Sequence, residues 1–396
     1  MIRPEAGGRH GSSVPVWLES TRSAGTNVPT TAPEAPPAAM DKTSRQRIRY
    51  LRTVDGVQLA WAEAGRGPLL IKASNWLTHL EYDWESPVWR HWLRFFADHF
   101  RFVRYDERGC GMTDWNVGDL SFGRWVQDLE AVADTAAPDA PMILLGISQG
   151  AAVCIDYAVR HPERVSHLVL YGGYSRGVAR REDPKAERVY GAIVELVRLG
   201  WGTENPAFRQ IFTSRFIPGG TDEQIGWFND LCRKTTSPEI AGRLLEARAQ
   251  VDVDDLLPQV RTPTLVLHAR KDNVTPLDEG RRLAAGIPGA QFVELDSRNH
   301  VLLENEPAWE RFREAVLDFV GIPARGGEDP AFAALSTRER EILVLVTEGL
   351  GNADIAERLA LSEKTVRNHV SNVFDKLGVW TRAQAIVLAR DRGFRA

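Results

Sequence analysis

Ser148, Asp272 and His300 are side chains that could together carry out nucleophilic chemistry on a carbonyl group. Ser148 lies in GISQG (146–150), which fits the G-x-S-x-G pattern of a sharp strand-to-helix turn that exposes a serine. Because a serine hydroxyl is a poor nucleophile at neutral pH, it needs an adjacent base. His300 is the predicted base, and Asp272 is predicted to orient the imidazole and stabilise its charged form. The three residues therefore predict acyl-transfer chemistry.

Each of these residues also has an ordinary structural interpretation. Ser148 alone could cap a helix, Asp272 could be a turn residue, and His300 could be a polar residue near a strand end. Their order along the chain and their positions after apolar runs favour the catalytic interpretation. The backbone N–H groups of Gln149 and Asn75 are the predicted donors to an oxyanion.

The elements that must position these side chains follow an alternating pattern. Eight short β-like runs between about Ile48 and Asp296 are interspersed with helical stretches, which predicts an α/β fold with a mostly parallel sheet covered on both faces. Chemistry in such sheets gathers at the carboxyl ends of the strands. About 90 residues between the runs near Gly173 and Thr262 are too many for a simple crossover. They predict a helical lid at about 175–255.

Four segments of the chain resemble the α/β-hydrolase family. They are RYDERGCGMTD (104–114), GISQG, LHARKDNVTP (267–276) and RNHVLLENEP (298–307). The resemblance covers about residues 48–321 and implies an α/β-hydrolase fold with serine hydrolase, esterase-like activity. This chain reads ASNW (73–76) where the family usually has His-Gly.

Tryptophans crowd the region around the predicted oxyanion loop. The six are Trp76, Trp84, Trp89, Trp92, Trp115 and Trp125. They could line an apolar pocket together with the lid, or they could simply pack the core.

The last 60 or so residues carry the local signals of four helices. Ser336 and Glu339 form a capping box ahead of an apolar run, a short second helix begins near Asn352, and Ser362 and Thr381 are N-caps of a third and a fourth. In the third helix the apolar stripe consists of Val366, Val370, Val373 and Leu377. The opposite face is basic and amide-bearing, as in helices that read base edges, although a solvated surface helix would also expose polar groups.

The segment TREREILVLVTEGLGNADIAERLALSEKTVRNHVSNVFDKLGV (337–379) resembles the LuxR-type helix-turn-helix along its whole length. The resemblance implies binding to double-stranded DNA, with Lys376 near the phosphate backbone. It implies that DNA is faced by Lys364, Thr365, Arg367, Asn368 and Ser371. It also implies a homodimer that pairs through AQAIVLA (383–389) and reads paired half-sites.

Composition sets the remaining expectations. The net charge is −4, but from Phe332 onward 10 Lys and Arg stand against 8 Asp and Glu, so the tail is mildly basic. Three widely spaced cysteines, no signal-peptide pattern and no long apolar run predict a cytoplasmic protein without a membrane segment. No metal site and no cofactor is expected.

The predicted organisation is a disordered leader (1–45), an α/β-hydrolase domain (46–321), a Gly/Pro-rich linker (322–331) and a helix-turn-helix domain (332–396). The favoured hypothesis is a regulator whose hydrolase-type domain binds, and in one version hydrolyses, a small apolar ester, lactone or related carbonyl ligand. One alternative is a serine hydrolase with an accessory DNA-binding domain. Another is a binding module in which Ser148, Asp272 and His300 never catalyse a reaction.

Overall fold

The computed structural model describes residues 46–138, 140–205, 207–322, 331–332, 334–391 and 394. Within them, eight strands form one sheet in the order β1-β2-β4-β3-β5-β6-β7-β8. The strands are β1 (Arg47–Arg52), β2 (Gln58–Ala64), β3 (Leu69–Lys72), β4 (Arg101–Tyr105), β5 (Met142–Ile147), β6 (Val165–Tyr171), β7 (Thr264–Ala269) and β8 (Gln291–Leu295). The predicted leader and linker residues 323–330 lie outside the described residues.

The strand pairing confirms the predicted fold class. β2 pairs antiparallel with β1 and with β4, and every other neighbouring pair is parallel. All residues of β5 and β7 are buried, whereas edge strand β1 is largely exposed. This is the expected burial for parallel strands that are covered on both faces.

Helices cover the sheet on both faces and supply the lid. The helices that pack on the sheet are α1 (Leu80–Trp84), α2 (Arg90–His99), α3 (Phe122–Ala136), α4 (Gly150–Arg160), α9 (Leu277–Gly286) and α10 (Pro307–Phe319). The lid helices are α5 (Pro184–Gly200), α6 (Ala207–Phe216), α7 (Asp222–Thr235) and α8 (Pro238–Ala249). The lid lies between β6 and β7, as the long interval in the sequence predicts.

The lid helices begin at strong local signals. Asp183 caps α5, and its side chain accepts from the backbone N–H groups of Lys185 and Ala186. Thr221 and Gln224 form a capping box at the start of α7. The buried faces of these helices join the apolar core of the sheet. The lid is therefore a packed layer rather than a loose loop.

Residues 334–391 form four further helices, which are α11 (Thr337–Thr347), α12 (Asn352–Arg358), α13 (Glu363–Leu377) and α14 (Arg382–Asp391). Ser336 and Ser362 cap α11 and α13 as predicted, and Gly378 ends α13 in the left-handed conformation at φ 65°. These helices have an apolar cluster of their own, which includes Ile342, Ile355 and Val366. In the part of the chain that the structure describes, no helix combines the length and apolar character needed to cross a bilayer.

A buried ion pair fixes the loop that follows β4. Arg108 is almost fully buried and donates two hydrogen bonds to the carboxylate of Asp128 on α3, at 2.7 and 2.6 Å. It also contacts Asp55, in the β1–β2 turn, at 2.8 Å. An unpaired buried charge is costly, so the fold must keep both carboxylates beside this arginine. Arg108 therefore joins the loop after β4, helix α3 and the β1–β2 turn near the carboxyl ends of the strands.

Replacing Asp128 with Ala should lower the free energy of unfolding by about 3 kcal/mol, because Arg108 would then keep the partly exposed Asp55 as its one carboxylate partner among the described residues, besides the carbonyl oxygen of Asp119. The matched control on the same helix is Asp134→Ala. Asp134 is 64% exposed in its pair with Arg164, so its loss should cost less than about 1 kcal/mol. Urea unfolding followed by tryptophan fluorescence measures both, and equal losses would contradict the role given to Arg108.

Candidate functional sites

Ser148 occupies a strained turn between β5 and α4. Its φ is 55°, in the left-handed region that side chains other than glycine rarely adopt. Its backbone N–H donates to the carbonyl of Tyr171 at 3.0 Å. A Cβ on Gly146 would lie 2.6 Å from Cα of Ala151, so the turn is possible only with glycine there. This local arrangement is the sharp strand-to-helix turn that the GISQG pattern predicts, and Ser148, only 7% exposed, lines the cavity beside it.

Asp272 and His300 are joined in the buried interior. His300 Nδ1 lies 2.6 Å from Asp272 Oδ2, and Asp272 Oδ1 accepts from the backbone N–H groups of Val274 and Thr275. Burial disfavours the charged form of Asp272 and acts to raise its pKa. The charge of His300 and the hydrogen bond that His300 donates have the larger effect, so the pKa of Asp272 lies below its usual value. An ionised Asp272 carboxylate can only accept hydrogen bonds. When His300 is neutral, its one ring proton is therefore on Nδ1, and Nε2 is a hydrogen-bond acceptor.

The structure brings Ser148 and His300 to the same small region. A Cβ on Gly172 would lie 3.2 Å from His300 Cε1, and one on Gly173 would lie 3.4 Å from the Ser148 carbonyl oxygen. His300 Nε2 is buried and has no hydrogen-bond partner among the described residues, and no hydrogen bond joins it to Ser148 there. Hydrogen bonds between a nucleophile and its base often tighten only when substrate is bound.

A second histidine, which the sequence reasoning missed, lies beside the same carboxylate. His268 Nε2 on β7 is 3.9 Å from Asp272 Oδ2 and 3.0 Å from the carbonyl oxygen of Thr275. Burial lowers the pKa of His268, which favours its neutral form. The only sequence feature that could have indicated this position is that His268 lies in the apolar strand TLVLHA, one residue before its end.

The two predicted oxyanion donors differ in their surroundings. Gln149 lines a cavity beside Ser148, and its side-chain oxygen accepts from the backbone N–H of Trp76 at 3.2 Å. Asn75 does not line that cavity. Its side chain instead accepts from Lys72 Nζ and donates to the Trp76 carbonyl oxygen. Trp76, the next residue, forms part of the cavity wall, so Asn75 as a donor stays a prediction.

The cavity beside Ser148 has a volume of about 200 Å³, which suits a small molecule. Its wall is mainly apolar and aromatic, with contributions from the lid and from the loop after β7. The aromatic lining residues are Trp76, Tyr174, Tyr190, Phe212 and Phe216. Of the six tryptophans singled out in the sequence, Trp76 lines this cavity, while Trp89, Trp92 and Trp125 belong to the apolar core.

In the C-terminal helices, α13 has a buried and an exposed face. Val366, Val370 and Val373 are buried against α11 and α12. The side chains of Lys364, Arg367, Asn368 and Ser371 are exposed. Thr365 is half-buried, and its hydroxyl hydrogen-bonds with that of Ser362 at 2.8 Å. Arg367 also forms an ion pair with Glu363, one turn earlier, at 3.1 Å. The exposed face therefore offers cationic and amide groups suited to phosphates and base edges.

The strip AQAIVLA (383–389) on α14 is divided between two environments. Ala385 and Ala389 are buried in the cluster formed by α11–α14, whereas Val387 is 55% exposed. Only part of the strip is therefore available for pairing with a second copy.

Glu339 links the start of α11 to the end of α13. It accepts from the backbone N–H of Ser336 at 2.8 Å and from Lys376 Nζ at 2.7 Å. The hydrogen bonds from Lys376 and from Ser336 lower the pKa of Glu339 to about 2. Lys376, which the family resemblance places near the DNA backbone, thus already has a carboxylate partner within its own domain.

Replacing Glu339 with Gln should destabilise the C-terminal helices by about 1–2 kcal/mol at pH 7, because a cap and a half-exposed ion pair are weakened together. The pKa of Glu339 is lowered by folding, so its contribution is complete above about pH 4.5 and is lost as the pH falls through about 2. Hydrogen exchange of α11 and α13 amides between pH 7 and 3 measures this. The control Glu341→Gln, in an exposed pair with Arg338, should change little at any pH.

Comparison with known proteins identifies two parts of the chain. Residues 91–308, more than half of the chain, match the family described as serine aminopeptidase, S33. Residues 333–389 match the bacterial regulatory proteins of the luxR family.

Individual relatives cover the first of these parts. RutD of Rhizobium rhizogenes is 28% identical over 249 residues, which are 59% of this chain and 87% of that protein. A pimeloyl acyl-carrier-protein methyl ester esterase of Neisseria meningitidis is 28% identical over 210 residues, 51% of this chain and 66% of that protein. The solved structure of an esterase from Exiguobacterium antarcticum matches with a TM-score of 0.58 at 21% identity, over 69% of this chain and 98% of that one. This last likeness shows the fold.

Proposed function

Because the chain belongs to the serine aminopeptidase S33 family of α/β hydrolases and contains a luxR-family domain, we propose that it is a transcription regulator controlled by a small molecule. The luxR-family domain binds double-stranded DNA through the exposed face of α13. The hydrolase-type domain binds a small ester, lactone or related carbonyl compound beside Ser148. The protein acts in the cytoplasm as a homodimer that reads paired half-sites.

The observation that carries the ligand half of this proposal is the cavity itself. Ser148 and Gln149 lie in the wall of a small, mainly apolar space that the lid separates from solvent on one side. An apolar space with a few polar groups at one point is the usual form of a small-molecule site. A carbonyl group at that point would meet the serine hydroxyl and the N–H groups at the start of α4, whose helix dipole favours developing negative charge.

Hydrolysis of the bound compound is a second candidate function, and the short Asp272–His300 hydrogen bond favours it. Ser148 Oγ attacks the carbonyl carbon while His300 Nε2 takes the hydroxyl proton. The N–H groups of Gln149 and Asn75 hold the oxyanion. The leaving alkoxide takes the proton from His300, and water then cleaves the acyl-serine in the same way. The methyl ester esterase among the relatives is named for such a reaction.

Covalent occupation of Ser148 tests both functions at once. A small alkyl fluorophosphonate should label wild-type protein and should not label Ser148→Ala, which is the matched control. If the cavity controls DNA binding, labelling should change the Kd for a duplex selected from random sequences by about 5-fold or more, a typical coupling between two sites. Labelling that leaves this Kd unchanged would contradict control by the cavity and favour an enzyme with an accessory DNA-binding domain.

Comparison of wild type with Ser148→Ala also separates ligand binding from hydrolysis. Wild type should hydrolyse 4-nitrophenyl butyrate and the variant should not. If wild type neither hydrolyses this ester nor reacts with the fluorophosphonate, hydrolysis is excluded as a function. The effect of unreactive short esters on the DNA Kd then decides whether the cavity acts as a sensor.

On the DNA side, Arg367→Ala should weaken binding to the selected duplex by about 1–3 kcal/mol through the loss of a base contact. Electrophoretic mobility shift titrations measure this, with Arg390→Ala on α14 as the exposed-arginine control. Binding to random duplexes should weaken much less. Equal weakening on both duplexes would make Arg367 a phosphate contact and not a base-reading residue.

A further inference from the structure

The wall of the cavity beside Ser148 carries an excess of positive charge. Arg181, Arg215 and Arg248 all line it, whereas none of the lining residues is Asp or Glu. A neutral apolar ester needs no such groups, and burying a cation costs free energy unless it is paired. The arginines therefore need a separate explanation.

Arg248, on α8, is only 5% exposed. Its guanidinium lies over the rings of Trp76 and Trp125, at 4.6 and 5.2 Å from their centroids. One nitrogen, Nη2, donates to the buried carboxylate of Glu107. The other two nitrogens, Nε and Nη1, are buried and have no hydrogen-bond partner among the described residues. A buried cation with free donors beside a cavity is prepared to receive an acceptor.

Arg181 and Arg215 complete the set from the lid side. Arg181 Nε donates to the carbonyl oxygen of Arg176 at 2.7 Å and lies 3.6 Å from Glu279. Arg215, near the end of α6, donates to the carbonyl oxygen of Asn273 at 3.0 Å. Within the described residues no carboxylate lies within ion-pair distance of Arg215. Arg248 and Arg181 thus each have a carboxylate partner, Glu107 and Glu279, whereas Arg215 has none at ion-pair distance.

The three arginines share the cavity wall with Tyr190. Burial raises the pKa of Tyr190, while the charges of Arg248, Arg215 and Arg181 act to lower it. Burial also raises the pKa of Glu107, which weakens the compensation that Glu107 gives to Arg248. The geometry thus leaves Arg215 and two nitrogens of Arg248 in the cavity wall without a carboxylate partner among the described residues.

We propose that the compound bound beside Ser148 carries a carboxylate in addition to its reactive carbonyl, and that Arg215 and Arg248 hold this carboxylate. The inference rests on the proposed function, since it names the class of compound that the same cavity takes. Arginine presents a planar set of donors that matches a carboxylate in geometry and charge. Monoesters of short dicarboxylic acids and lactones with a carboxylate substituent are members of this class.

The test compares two esters matched in length, the monoethyl ester of adipic acid and ethyl heptanoate. Binding is measured on the full chain with Ser148→Ala, so that no ester is consumed, by titration calorimetry. The anionic ester should bind at least about tenfold more tightly. Adding Arg215→Gln should remove most of this preference, because it should weaken binding of the anionic ester much more than binding of ethyl heptanoate.

Two further variants control for structure and general charge. Arg215→Lys keeps a cation without the planar fork and should retain part of the preference. Arg311→Gln removes an exposed arginine of α10 that does not line the cavity, and should have no effect. Thermal unfolding of each variant checks that the fold is retained.

The outcomes separate this inference from the function on which it rests. If both esters bind equally and Arg215→Gln changes neither affinity, recognition of a carboxylate is refuted, while the proposal of an ester-binding site is supported. If Arg215→Gln weakens both esters alike, the arginine supports the lid and the inference also fails. If neither ester binds, the proposed function fails and the inference fails with it.

Discussion

The turn at Ser148 is the constraint on which the site and its surroundings depend. A non-glycine residue at φ 55° is held only where neighbouring structure compensates for its conformational cost, which is on the order of 1–3 kcal/mol. That compensation comes from close packing, because α4 approaches β5 and β6 so tightly that Gly146 and Gly173 leave no room for a Cβ beside Ala151. The conformation of Ser148 therefore depends on the apolar sheet and on the small residues that let α4 pack so closely against it.

Around this turn the sheet and the lid make different contributions. The strands deliver Ser148, Asp272 and His300 to one edge, where buried backbone N–H groups and a histidine stabilise the carboxylate. The lid closes the space above them and contributes the cations of Arg215 and Arg248. Under the proposed function, the sheet would determine what chemistry is available, and the lid would determine which molecule binds. Members of one fold family can in this way differ in ligand while sharing a reaction centre.

Much of this could be predicted from the sequence because the signals are local. The buried strands are short apolar runs, and the GISQG turn has a characteristic spacing. Ser336 and Ser362 mark helix starts because each side chain accepts a hydrogen bond from the backbone N–H three residues later. The arginines of the cavity have no such signal. They come from separate parts of the lid and meet only through tertiary packing. The same reason explains why Trp76 lines the cavity where Asn75 does not, and why Ala385 and Ala389 of the strip 383–389 are buried inside their own domain.

The end of α6 is tied to both loops of the reaction centre. The carbonyl oxygen of Phe216 accepts from the backbone N–H groups of His300 and Val301, and Arg215 donates twice to the carbonyl of Asn273, next to Asp272. Val189 of α5 also lines the cavity and is 54% exposed. Under the proposed function, a bound molecule would therefore exchange beside α5, while α6 holds the loops of Asp272 and His300 in place. The dwell time of such a molecule and the rate of its hydrolysis would then depend on different helices, so natural selection could lengthen a signal without slowing a reaction, or the reverse.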